Sequence, residues 1–124
     1  MKAKIYGIKN CDTMKKAFVW LEANGVAYDF HDYKKAGVPE GRLKAWAKQA
    51  GWEALANTRG PTWRKIPEAE RADLNEARML ALLAAHTSAI RRPIVEAGAT
   101  LLVGFDPAEF ARAFKAAAGS GSRR

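Results

Sequence analysis

The chain has 124 residues, 48% apolar and 27% charged, the length and composition of one globular domain. Its single cysteine rules out an intramolecular disulfide, and with only two histidines beside it a four-cysteine or two-cysteine, two-histidine zinc site is excluded too. The net charge of +8 is scattered over pairs such as Lys34-Lys35 and Arg91-Arg92, without the long basic run of a nucleic-acid arm, so the expected partner is an anionic small molecule rather than nucleic acid.

The opening residues, Met1 to Lys4, lack the apolar stretch of a signal peptide. No apolar run approaches the roughly 18 residues of a membrane span. A cytoplasmic location without membrane attachment is therefore expected. Lys2 to Ile8 reads as a strand that ends at a turn. From Thr13 the period changes: Met14, Ala17, Phe18 and Leu21 share one face of a helix, and Gly25 stops it. Ala27 to Tyr33 alternates as a second strand. Strand, helix and strand within about 30 residues make a βαβ unit with parallel pairing.

The middle is helical. Leu43, Trp46, Ala47 and Ala50 form an apolar stripe closed by Gly51, and Asn57 to Pro67 reads as a loop. Asp73 and Glu76 stand as N-cap and N3 of a capping box that starts a strong helix through Leu80, Ala81 and Ala84. Ile94-Val95 and Thr100 to Val103 then read as a hairpin around Gly98. Asp106, Pro107 and Glu109 begin the last helix as N-cap, N1 and N3, with Phe105 and Phe110 spaced for a hydrophobic staple. The order β-α-β, helices, β-β-α predicts an α/β chain of thioredoxin-like fold. It is expected as one domain over residues 1–118, with a helical insertion at about 36–90 and a flexible tail at 119–124.

Cys11 carries the chemistry. It sits at the turn from the first strand into the first helix, where free amides near Thr13 to Lys15 and the charges of Lys9, Lys15 and Lys16 favour a thiolate. Asp12 opposes them. The local sequence Cys11-Asp12-Thr13-Met14 lacks the second cysteine of a C-x-x-C pair, so a resolving thiol must come from outside. Glutathione, abundant and anionic, is the expected co-substrate. The C-x5-R loop of tyrosine-phosphatase-like enzymes is absent, because Ala17 stands where the arginine would be.

Residues 5–16 (IYGIKNCDTMKK), Thr58 to Lys65 (TRGPTWRK) and Arg91 to Val95 (RRPIV) resemble the arsenate reductase (ArsC)/Spx family, in its YffB-like branch. The resemblance runs from Lys4 to about Phe114. It implies the thioredoxin-like fold with a helical insertion, and it implies that Cys11 is the reactive cysteine. It further implies that Arg59 and Arg92 match the two arginines that hold the oxyanion in arsenate reductases, and that Pro93 matches the proline that is cis in thioredoxin-like proteins. Two family features are missing: no arginine lies in Leu102 to Asp106, and Gly7 stands where the arsenate reductases carry a histidine. Spx regulators, which grip RNA polymerase, have a second cysteine where this chain has Met14.

The expected function is therefore a glutathione-dependent thiol oxidoreductase with one nucleophilic cysteine. Cys11 is its catalytic residue, and Asn10, Arg59, Arg92 and Pro93 form the subsite for glutathione or substrate; no metal is called for. The alternatives are a non-catalytic, Spx-like regulator docking on RNA polymerase, and an arsenate reductase in which Arg64 replaces the missing arginine. His31 and His86 are read as structural or exposed, and Trp63 lies in the Arg59 loop.

Overall fold

The computed structural model describes residues 2–9, 11–38 and 40–121. The chain divides into two compact units, Met1–Asp32 with Arg92–Arg124, and Tyr33–Arg91. The helical unit covers the stretch expected as an insertion.

The first unit holds β1 (Lys2–Gly7), α1 (Asp12–Ala23), β2 (Ala27–Asp32), β3 (Ile94–Ala97), β4 (Thr100–Val103) and α7 (Pro107–Gly121). Its sheet runs β2-β1-β3-β4. β1 and β2 are parallel neighbours, as a βαβ crossover requires, whereas β3 is antiparallel to both β1 and β4. This is the thioredoxin-like arrangement that the element order predicts. One face of the sheet is covered by α1 and α7: Ala3, Ile5, Val95, Ala97 and Leu102 pack against Met14, Ala17, Leu21, Phe110 and Phe114. The helical period of α1 puts Met14, Ala17 and Leu21 on that face. Asp106 caps α7 by accepting a 2.9 Å bond from the amide of Ala108, and the rings of Phe105 and Phe110 lie 4.9 Å apart, which forms the expected staple. The helix runs on through Gly121, past Gly119, where the tail is expected to begin; residues 122–124 lie outside the described residues.

The second unit contains α2 (Tyr33–Ala36), α3 (Glu40–Ala50), α4 (Pro61–Lys65), α5 (Glu68–Arg71) and α6 (Glu76–Ala85), with 3-10 turns at Trp52–Leu55 and Thr87–Ala89. Leu43, Trp46, Leu55, Leu80, Leu83 and Ile90 are buried in it. A short antiparallel contact ties the middle of the unit to its last residues: Ala56 bridges Ile90, Asn57 N–H donates to Ala89 O at 2.8 Å, and Arg91 N–H donates to Leu55 O at 2.7 Å.

Two local expectations are corrected by the structure. Residues 61–65 form a helical turn, α4, with Pro61 at its start, because a proline at N1 needs no amide partner and has a helical φ already set. The cap of α6 is Asn75 rather than Asp73: the Asn75 side chain accepts from the amide of Arg78 at 2.9 Å. Asp73 instead takes a left-handed φ of 51°, a conformation that Asp tolerates better than most residues. No helix among the described residues is long and apolar enough to cross a membrane.

Candidate functional site

Cys11 is the N-cap of α1, with extended backbone angles of −125° and 132°. Strand β1 fixes the approach and α1 the departure, so the sulfur stands at the amino end of a twelve-residue helix. That is the end at which unpaired amides and the helix dipole favour an anion. The residue is half-buried. Burial is the largest single influence on the thiol and pushes it up. Against it act hydrogen bonding from the Arg92 side chain, the amides of Met14 and Thr13, and the Arg92 charge; together they hold the thiol below its ordinary value. The amides are donors that a thiolate can use.

Arg92 reaches the thiol through sheet register. β1 and β3 are antiparallel, with Tyr6 opposite Ile94. β3 begins two residues after Arg92, and β1 ends four residues before Cys11, so the antiparallel pairing carries both residues to the same end of the sheet. Its Nε is buried. The Arg92–Pro93 peptide bond is cis, as the resemblance implies, and Pro93 O accepts from the amide of Gly104 at 2.8 Å. Cys11, Arg92 and Pro93 thus lie in one unit and meet at one end of its sheet. Asn10 lies outside the described residues.

Arg59 belongs to the helical unit and is exposed in the loop before α4. There it lines a cleft of about 320 Å³ together with Ala56, Asn57, Thr58 and Arg91. Arg64 donates to the carbonyl of Arg59 at 3.1 Å and so braces the loop. Two guanidinium groups around one cleft suit a carboxylate or oxyanion, since each offers a planar fork of donors that stays charged. Arg91 is the residue that sequence reasoning passes over. In the sequence it is visible only as half of a basic pair; the bridge between Ala56 and Ile90 is what sets its backbone beside the Arg59 loop.

His31 packs its ring 5.0 Å from that of Tyr6, and His86 lies 3.5 Å from a Glu70 carboxylate oxygen. Trp63 is half-buried in α4. Among the described residues no group of three His, Cys, Asp or Glu could hold a metal ion.

Comparison with known proteins shows the family. The family model described as the ArsC family matches residues 6–113. An uncharacterized protein of Haemophilus influenzae is 38% identical over 110 residues, 89% of this chain and 96% of its own. The solved structure of a YFFB protein is 49% identical, with a TM-score of 0.87 over 90% of this chain and 97% of that one. A structure of an arsenate reductase related protein from Brucella melitensis is 47% identical, with a TM-score of 0.72 over 93% of this chain and 96% of that one. With the match spanning both units and every element from β1 into α7, the chain belongs to the ArsC family.

Proposed function

We propose that this protein is a glutathione-dependent thiol oxidoreductase that works through one cysteine. The observation that carries the reading is a thiol held below its ordinary value at the amino end of α1, with Arg92 beside it. A chain with a single cysteine cannot resolve its own mixed disulfide, so the reaction divides between two molecules of glutathione. The Cys11 thiolate attacks the glutathionyl sulfur of a substrate mixed disulfide. The substrate leaves as a thiolate, and a Cys11–glutathione disulfide forms. A second glutathione thiolate then attacks the glutathionyl sulfur of that disulfide, releasing oxidised glutathione and restoring Cys11. The proton lost by glutathione goes to the departing substrate thiolate, and two electrons pass from glutathione to the substrate.

Arg92 holds Cys11 as the thiolate in both attack and departure. Arg59 and Arg91 supply the cationic cleft of the helical unit, and we assign to it a carboxylate of glutathione or the anionic group of the substrate. Arsenate reduction is the second reading, favoured by the name of the Brucella melitensis relative. It lacks the third arginine before the last helix, and Arg64, the one candidate replacement, is bonded to the Arg59 carbonyl.

The test is a mass measurement after exposure to oxidised glutathione. One glutathione should add to the protein, none should add to Cys11→Ser, and reduced glutathione should reverse the adduct. Failure to form an adduct at any glutathione ratio overturns the reading. Arsenate-dependent oxidation of glutathione, lost in Cys11→Ser, would favour the second.

A further inference from the structure

β2 is an edge strand of the sheet, with β1 as its one neighbour there. It pairs with β1 residue for residue from Ala27 to Asp32, without a bulge. It contains no proline, and all six of its residues are exposed or half-buried. A strand edge of this kind is open to a further strand, and proteins ordinarily guard it with bulges, prolines or charged side chains. Here the guard consists of charges alone, and they alternate in a way that suits one partner. Tyr28 and Phe30 lie on the α1 side, where their rings meet that of Phe18 at 5.4 and 5.3 Å. Phe30 is nonetheless 36% exposed, one of two large apolar side chains open to solvent among the described residues. Asp29 and His31 lie on the opposite side: an Asp29 carboxylate oxygen is 3.2 Å from Lys2 Nζ, and His31 packs on Tyr6.

We propose that β2 pairs with the β2 strand of a second copy of this chain, antiparallel and about a two-fold axis through Phe30, so that two four-stranded sheets become one. An isologous contact brings a surface against itself and so demands self-complementarity. With the axis perpendicular to the sheet, residues directly opposite each other share a face, so the axis passes through a residue and not between two. Only Asp29 and Phe30 as centres leave all but one of the six residues paired. A centre at Asp29 sets that carboxylate against its own copy, and like charges directly opposite are destabilising. A centre at Phe30 sets each Asp29 against His31 of the second copy, an acid against a base on both sides of the axis. It also lays the two Phe30 rings side by side and sets Tyr28 opposite Asp32, with no like charges facing. The contact is a single pair of short strands, smaller than a standard interface, so the expected dissociation constant is about 0.1–1 mM. Neither Cys11 nor the arginines take part, and the pairing is independent of the oxidoreductase reading.

Sedimentation equilibrium of the full chain across that concentration range should show monomer and dimer in exchange. Phe30→Lys sets two ammonium groups across the axis, and Asp29→Lys sets a lysine against His31; each should weaken association about ten-fold or more. Adding His31→Asp to Asp29→Lys should restore most of it, since an acid again faces a base. Circular dichroism confirms that each variant is folded. In a Cys11→Ser background, Phe30→Cys should form a disulfide-linked dimer with oxidised glutathione faster than Asp29→Cys does, because Phe30 alone stands opposite its own copy at a spacing that a disulfide spans. A wild-type chain that stays monomeric throughout overturns the proposal. A dimer that Phe30→Lys and Asp29→Lys leave unchanged also overturns it, by placing the contact elsewhere. Faster cross-linking through Asp29→Cys overturns the Phe30 axis.

Discussion

Met14 occupies the room that a side chain at Gly7 would need. A Cβ placed on Gly7 would lie 2.6 Å from Met14 Cε and 3.4 Å from its Cγ, with Sδ closer still, and Met14 itself is fully buried. Both are positions at which the resemblance drawn from the sequence marks a departure, Gly7 from the histidine of arsenate reductases and Met14 from the second cysteine of Spx regulators. They are coupled: the last residue of β1 can stay bare because the third residue of α1 fills the space over it. Gly7→Ala should therefore destabilise the protein by about 1–3 kcal/mol, the usual cost of overpacking. The cost of Gly7→Ala should be smaller when Met14 is already Ala, with a coupling of about 0.5–3 kcal/mol in a double-mutant cycle. Denaturant unfolding of the four proteins measures it, and strictly additive losses would show the contact to be inconsequential.

Arg92 favours the Cys11 thiolate both as a hydrogen-bond partner and as a charge. In Arg92→Ala the pH midpoint of Cys11 alkylation should move upward from the wild-type value. Arg92→Lys should move it less, because the charge survives while the fork is lost. An unchanged midpoint in Arg92→Ala would mean that the helix amides alone set the thiol.

A thiol lowered by folding makes stability depend on pH. The folded state binds its proton less tightly than the unfolded one, so its contribution is complete above the unfolded value of about 8.5 and disappears as pH falls through the lowered, folded value. Wild type minus Cys11→Ser should therefore gain stability as pH rises across that window, and be flat below it. Urea midpoints at a series of pH values give the difference directly.

Arg59 and Arg91 line the same cleft and are exposed. Their alanine variants should each weaken glutathione binding by about 1.5–3 kcal/mol, the scale of a hydrogen bond to a charged group, with folding nearly unchanged. The Arg91 backbone keeps its roles in either case, donating to Leu55 O and accepting from the Tyr33 hydroxyl at 3.3 Å. Titration calorimetry checks affinity and thermal unfolding checks integrity. A variant that unfolds while retaining affinity would move that arginine from the site to the scaffold.

At α6 the two candidate caps should separate cleanly. Asn75→Ala should cost about 1 kcal/mol, since it removes the acceptor for the Arg78 amide. Asp73→Gly should be neutral or stabilising, because glycine takes the left-handed φ of 51° without the steric cost of a Cβ. Chemical denaturation of both variants decides the assignment.

The sequence by itself determined what is local. The two-residue period of β1 and the change to a helical period at Met14, Ala17 and Leu21 are properties of neighbouring residues, and they alone place Cys11 at the amino end of α1. Asp106, Pro107 and the Phe105–Phe110 staple are legible for the same reason, since capping acts over four or five residues. The cap of α6 is not, because Asp73 and Asn75 both carry an acceptor, and the backbone turn at Asp73 decides between them. Tertiary structure alone decided the environment of the thiol. Lys9, Lys15 and Lys16 are its sequence neighbours, yet the cation acting on it is Arg92, which the antiparallel register of β1 and β3 brings in from a distant part of the sequence. The same holds for Met14 beneath Gly7 and for Arg91 beside Arg59. Each is a meeting of residues that depends on strand pairing or helix packing, and such meetings leave no period in the sequence.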